Sequence, residues 1–221
     1  MNNNYLIRKA TSTDIPFIVK TIIEAEKSMT QTLGLAKLFD ITEAELHDCL
    51  TQMLEIETHG CEFSLSSFFI AEYEKQAAAA LGGWLEGFFY NGMPSALIKA
   101  NLLNSILPKE NLMKSIPKNE IFKDISIPRD KNTYQLEYSF VAENHRGKKL
   151  IQQLMLEHLR FAKTLTSNIK YAQLHVFENN PIIIKVHQQT GFEIKKQYTS
   201  AHPEIMDYLP YHTKLLMEKE V

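Results

Sequence analysis

From Thr133 to Leu165 the chain reads as a strand, a polar turn and a long helix. A strand and an amphipathic helix in succession must bury their apolar faces on each other or on neighbours, so the fold has to be layered. "TYQLEYSFV" (Thr133–Val141) alternates as a strand. In "KKLIQQLMLEHLRFAKTL" the residues Ile151, Leu154, Met155, Leu159, Ala162 and Leu165 recur on one helical face. The turn between them carries Arg146 and Gly147, with Lys148 and Lys149 in the first helical turn. A helix N-terminus presents unpaired N–H groups and a partial positive charge, so a phosphate placed there accepts several bonds at once. The turn is therefore either a phosphate cradle or an ordinary strand-to-helix turn with a solvent-facing "RGKK".

The rest of the chain extends the layered pattern. "YLIRKA" (Tyr5–Ala10) is strand-like, and "TSTD" with Pro16 starts a helix that runs to about Thr30. A second helix starts near Thr42, where Thr42 and Glu45 form a capping box and Leu46, Leu50, Met53 and Leu54 make a buried stripe. Ser67–Glu74 and Ala78–Phe88 read as a hairpin, with Gly82 and Gly83 marking a bulge in its second strand. Residues 88–131 are broken by prolines and hold two helical runs. "YAQLHVF" is a strand, Pro181 opens a short helix closed by Gly191, and "FEIKKQYTS" and "YHTKLLMEKEV" are two final strands. The order is β-α-α-β-β-insert-β-α-β-α-β-β, a mixed sheet with helices on its faces.

Charge and cysteine content narrow the partners. The formal net charge is -2, so the total gives no sign of a nucleic-acid binder. Residues 1–87 hold six basic and thirteen acidic side chains, and the basic excess lies beyond them, in a part that includes the phosphate turn. Cys49 and Cys61 fit no metal or redox spacing, and they suit a reducing, cytoplasmic compartment. His145 and His158 lack ligand partners at metal spacing, so no metal is expected. No signal-peptide core and no run of membrane-spanning length is seen, so no membrane is expected.

Two motifs together resemble the GNAT N-acetyltransferase superfamily. "VAENHRGKKLIQQLM" is similar to the family's strand-to-helix turn for the acetyl-coenzyme A pyrophosphate. "VFENNPIIIKVHQQTGF" is similar to its Val, Asn, short helix and Gly-Phe ending. The resemblance implies an α/β (α+β) fold: a mixed, mostly antiparallel central sheet flanked by helices, forming a single domain over 1–221 with an insertion at 88–131, between the third and fourth strands. It implies acetyl-coenzyme A as co-substrate.

The same resemblance implies site residues. In the family pattern of Gln or Arg, two residues, Gly, one residue, Gly or Ala, the positions fall on Arg146, Lys149 and Ile151. The arginine is kept and both small residues are lost. Ile151 either crowds the phosphate or packs into the core. Gly147 and the N–H groups of Lys148, Lys149, Leu150 and Ile151 remain as donors. Phe140 and Val141 line the thioester, with N–H groups near Val141 polarising its carbonyl. Asn180 falls on the family's cofactor-holding Asn. His187 falls on the position of the usual Tyr that protonates the departing thiolate; it is either that acid or a structural histidine, with Tyr138 and Tyr198 as rival phenols. Glu137 is either the base for an ammonium acceptor or the partner of a Lys or Arg across the sheet. Alternation puts Glu137, Ser139 and Val141 on one face and Leu136, Tyr138 and Phe140 on the other.

The implied reaction is acetyl transfer to an amine by direct attack on the thioester. The alternatives are a non-catalytic coenzyme A-binding or interaction protein on the same fold, and transfer of a longer acyl group. The acceptor is a small-molecule or peptide amine. A cationic one is favoured by Glu43, Glu45, Asp48, Glu55 and Glu57 around the second helix, with 88–131 folding over the thioester end. A homodimer is compatible with all of this.

Overall fold

The computed structural model describes residues 5–56 and 58–221. Among these, seven strands form one sheet in the order β1-β2-β3-β4-β5-β7-β6. They are β1 (Leu6–Lys9), β2 (Phe68–Tyr73), β3 (Gln76–Leu85), β4 (Tyr134–Val141), β5 (Tyr171–Phe177), β6 (Glu193–Thr199) and β7 (Thr213–Glu220). Only β4 and β5 pair in parallel; every other neighbouring pair is antiparallel. The mixed, mostly antiparallel sheet is the one the sequence implies.

Helices cover both faces, and two apolar clusters fill the space between. On one face α1 (Ile15–Lys27), α2 (Gly34–Phe39), α3 (Glu43–Glu55) and α4 (Ser95–Ile106) bury Ile18, Ile22, Leu50, Met53, Ile98 and Leu102 with Phe63 and Phe68. On the other, α6 (Leu150–Leu165) buries Leu154, Met155 and Ala162 against Leu81, Leu136, Leu174 and Met217. The capping box of α3 forms as read: Thr42 Oγ1 accepts the Glu45 N–H at 3.2 Å, and Glu45 Oε2 accepts the Thr42 N–H at 2.7 Å. The short α2, a 3-10 segment over Ile116–Ile125 and the four-residue α8 (Ile205–Tyr208) are additions, too short or too tightly wound to show helical periodicity.

The 88–131 segment is built into the structure. Its α4 supplies Ile98, Leu102, Leu103 and Leu107 to the first cluster. Its α5 (Lys109–Ser115) reaches α2, where Asn111 Nδ2 donates to the Phe39 carbonyl at 2.9 Å. Ile121 and Ile125 pack with Ile205 and Leu209.

One irregularity matters for the site. Leu81 pairs with Ser139 and Gly82 with Glu137, so Tyr138 is an extra residue in β4, in the left-handed region at φ 57°. The bulge lies on β4 and not on the glycine-bearing β3. Gly82 lies opposite it, where an added Cβ would stand 2.8 Å from the Glu137 carbonyl oxygen. The extra residue reverses the strand's alternation. Tyr138 packs with the first cluster and Phe140 against Phe17 of α1, whereas Val141 joins Leu136 in the second. Glu137, whose partners also lie on the first-cluster side, therefore does not share a face with Val141 as simple alternation predicts.

Candidate active site

β4 and β5 pair only from Tyr134 with Ala172 to Leu136 with Leu174, and diverge beyond. β4 from Glu137 to Val141 thus has no paired strand on its β5 side among the described residues, and the N–H and C=O groups there are open to a ligand. Below the gap, β4 leads into the basic turn and α6.

The turn has the geometry of an anion cradle. Gly147 sits at φ 76° with nothing within 4 Å of where a Cβ would be, so the chain there is left-handed and open to close approach. Lys149 caps α6 in the left-handed region at φ 59°, a conformation glycine adopts more easily. The N–H groups of Gly147 to Gln152 have no backbone acceptor among the described residues; the first N–H bond into the helix is Gln153 to the Lys149 carbonyl at 3.1 Å. Arg146, Lys148 and Lys149 are exposed around it. Leu150 and Ile151 point into the second cluster, so Ile151 packs into the core and only its N–H faces the turn. The turn fits a pyrophosphate on backbone donors and positive charge without the two missing small residues.

The Asn180 side chain caps α7 (Pro181–Gln189): its Oδ1 accepts the Ile183 N–H at 3.2 Å, leaving only Nδ2 for a ligand. His187 is buried beside Phe192, and its Nδ1 has no partner. Burial lowers its pKa to about 4, so the ring is neutral near pH 7 and can offer only a neutral N–H. His158 is a structural histidine: it bridges the Tyr134 hydroxyl at 2.8 Å and the Leu81 carbonyl at 2.9 Å.

Above the gap lies a cluster of charges. Arg129 Nη2 donates to Glu137 Oε1 at 2.5 Å and lies 3.5 Å from Glu62 Oε1, while its guanidinium covers the Trp84 ring. Lys99 Nζ donates to Glu62 Oε1 at 2.6 Å. His175 Nδ1 lies 3.4 Å from Glu137 Oε1, and His175 Nε2 is buried with no partner. Burial pushes the Glu137 carboxyl up, but Arg129 and His175 outweigh it and hold the group well below the usual carboxylate range. A carboxylate so strongly stabilised is a weak base. The Tyr138 hydroxyl donates to Glu26 Oε1 at 3.2 Å, and burial together with that carboxylate pushes the phenol up, making it a poor acid. Tyr198 lies on the edge strand β6, opposite Lys214.

Sequence reading singled out the basic turn, Glu137 and His187, and did not single out Glu26, Glu62, Lys99, Arg129, His175 and Lys214, which the fold brings beside the gap. The carboxylates expected to wall the acceptor site do not do so. Glu43, Glu45, Asp48 and Glu55 are exposed on the solvent side of α3, and Glu57 lies outside the described residues. No helix of the described residues is long and apolar enough to cross a membrane.

Residues 35–192 match the acetyltransferase (GNAT) family. No curated protein sequence matches the chain significantly. Among solved structures, it is similar to an N-acetyltransferase from Staphylococcus aureus Mu50, at 16% identity and TM-score 0.70, over 97% of this chain and 100% of that one. An acetyltransferase structure matches at 21% identity and TM-score 0.60, over 98% and 99%. A ribosomal-protein-alanine N-acetyltransferase from Brucella melitensis matches at 17% identity and TM-score 0.54, over 98% and 99%. At these identities the likeness is one of fold.

Proposed function

The chain belongs to the acetyltransferase (GNAT) family, whose co-substrate is acetyl-coenzyme A, and from that premise we propose that it moves the acetyl group to an amine by direct attack on the thioester. The observation that carries the reading is the opening of β4 from β5 beyond Leu136, directly above a basic turn with unpaired N–H groups.

In this reading the pyrophosphate lies on Arg146, Gly147, Lys148 and Lys149 and on the N–H groups of Leu150 and Ile151, with Asn180 Nδ2 as a further donor. Phe140 and Val141 flank the thioester, and open β4 N–H groups stabilise the oxyanion that forms when the amine attacks. The attacking amine must first lose a proton. His175 takes it on Nε2, the buried atom without a partner among the described residues, while the Glu137 carboxylate, 3.4 Å from Nδ1, steadies the cation that forms. Glu137 is then a positioning residue held ionised by Arg129. The C–S bond breaks as the C–N bond becomes an amide, and the neutral His187 donates its N–H as a hydrogen bond to the departing thiolate, which takes its proton from solvent.

The test is calorimetry with coenzyme A, followed by thiol release from acetyl-coenzyme A with a panel of amines. Micromolar binding with amine-dependent thiol release supports the proposal. Binding without release on any amine leaves a coenzyme A-binding protein and overturns it.

A further inference from the structure

Most charges around the β4–β5 gap are paired within the protein. Glu62 holds Lys99, Glu137 holds Arg129, and Glu86 accepts the Trp84 Nε1–H at 3.1 Å and the Ser95 N–H at 2.8 Å. Among the described residues, two partly buried charges beside the gap, one of each sign, are met less well. Glu26 of α1 has, among the described residues, only two long bonds, from the Tyr138 hydroxyl at 3.2 Å and the Leu35 N–H at 3.4 Å. Lys214 of β7 has no hydrogen-bond acceptor for its amine among the described residues; its Nζ lies over the Phe177 ring, 4.8 Å from the centroid.

The two stand on opposite sides of the gap. Tyr138, which ties Glu26 in place, is the bulge residue of β4. Phe177, which lies under the Lys214 amine, ends β5 and pairs directly with Lys214. Directly opposed residues in an antiparallel pair share a face, so Lys214 projects on the side of Phe177 and of His175, two residues before it. Glu26 and Lys214 attract each other, yet each still behaves as a charge short of solvation. Burial raises the Glu26 carboxyl and lowers the Lys214 ammonium. A ligand bearing one cation and one anion would relieve both.

Resting on the acetyl-transfer reading above, we infer that the acceptor carries an anionic group beside its reacting amine, the chemistry of an α-amino acid, with the amine on the Glu26 side of the gap and the carboxylate on Lys214. The amine then lies next to the β4 edge, where the thioester carbonyl is attacked. The carboxylate lies toward β7, away from Glu137 and Glu62. A plain diamine or polyamine would leave Lys214 facing a second cation.

The experiment compares acceptors that differ only in the carboxylate: phenylalanine against phenethylamine, and lysine against cadaverine, with thiol release from acetyl-coenzyme A as the readout. The amino acid of at least one pair should have a kcat/KM at least ~10-fold above its decarboxylated partner, the size expected of a charge-assisted contact. In Lys214→Met that ratio should fall to near one, and in Lys214→Arg most of it should return. A wild-type ratio at or below one in both pairs overturns the inference, as does a ratio that Lys214→Met leaves intact. If the methionine variant does not fold, the wild-type ratios alone decide. Absence of turnover on both pairs overturns this inference alone if coenzyme A still binds, and acetyl transfer as well if it does not.

Discussion

The guanidinium of Arg129, from the long β3–β4 connection, meets the carboxylate of Glu137 on β4 at 2.5 Å, and both side chains are 15% exposed. Removing one member of such a pair leaves the other buried and unbalanced, typically costing about 3–5 kcal/mol. Arg129→Leu should therefore lower stability by that order, since Glu62 also loses a cation. The double change Arg129→Leu, Glu137→Gln should recover part of the loss. Urea unfolding of the four variants in the cycle measures it, and purely additive effects would show that the pair is not coupled.

Arg146 lies on the surface, its side chain 61% exposed, so reversing its charge should spare the fold. Arg146→Glu should weaken coenzyme A binding by roughly 10- to 100-fold, the scale of one charge-assisted contact plus repulsion. Calorimetry at fixed ionic strength gives the number, and a melting temperature equal to wild type confirms that folding is intact. An unchanged affinity would move the pyrophosphate off this turn.

In the proposed reaction His175 takes the proton of the amine and His187 steadies the departing thiolate. His175→Asn should lower kcat by about 10²–10⁴-fold while coenzyme A affinity stays nearly constant, because general-base catalysis is of that size. His187→Ala should lower kcat while coenzyme A affinity stays nearly constant. Single-turnover measurements separate chemistry from product release. Normal chemistry in His187→Ala would return that residue to packing alone.

Acid should destabilise the protein well above the carboxylate range. His158 and His187 are both lowered to about 4 by burial. Between roughly pH 6.5 and pH 4 the unfolded chain binds these protons and the folded one does not, so stability falls as pH drops. Each ring contributes about 3 kcal/mol by the end of that window. His187→Gln should remove roughly half of this histidine-linked slope, seen as urea midpoints that change less between pH 7 and pH 5. An unaltered slope would mean that His187 is protonated in the folded protein.

What the sequence made legible was local. The β4 strand, basic turn and α6 announce themselves by period and by turn chemistry within some thirty residues. The same is true of the α3 capping box and of Pro181 and Gly191 bounding α7. The charged cluster was not legible, because Glu26, Glu62, Lys99, Arg129 and Lys214 come from five separate segments and meet only in the folded chain. The bulge was hidden too: Tyr138 takes a left-handed backbone without the glycine or asparagine that usually marks one, so period-two reading put Glu137 on the wrong face. Glycine did signal the level of the irregularity, through Gly82 on the opposite strand.

The two apolar clusters lie on opposite faces of one sheet, and they carry different halves of the candidate site. The cradle grows from α6 and the second cluster; Glu26 and Lys99, on α1 and α4, grow from the first. A substitution that repacks α1, α3 or α4 can thus reshape the acceptor side while the phosphate turn keeps its footing on the far face. The reverse is harder, because β4 belongs to both. On the proposed reading, heritable drift in acceptor choice has a route through this chain that leaves the nucleotide end untouched. That route begins at the side chains of α1 and α4.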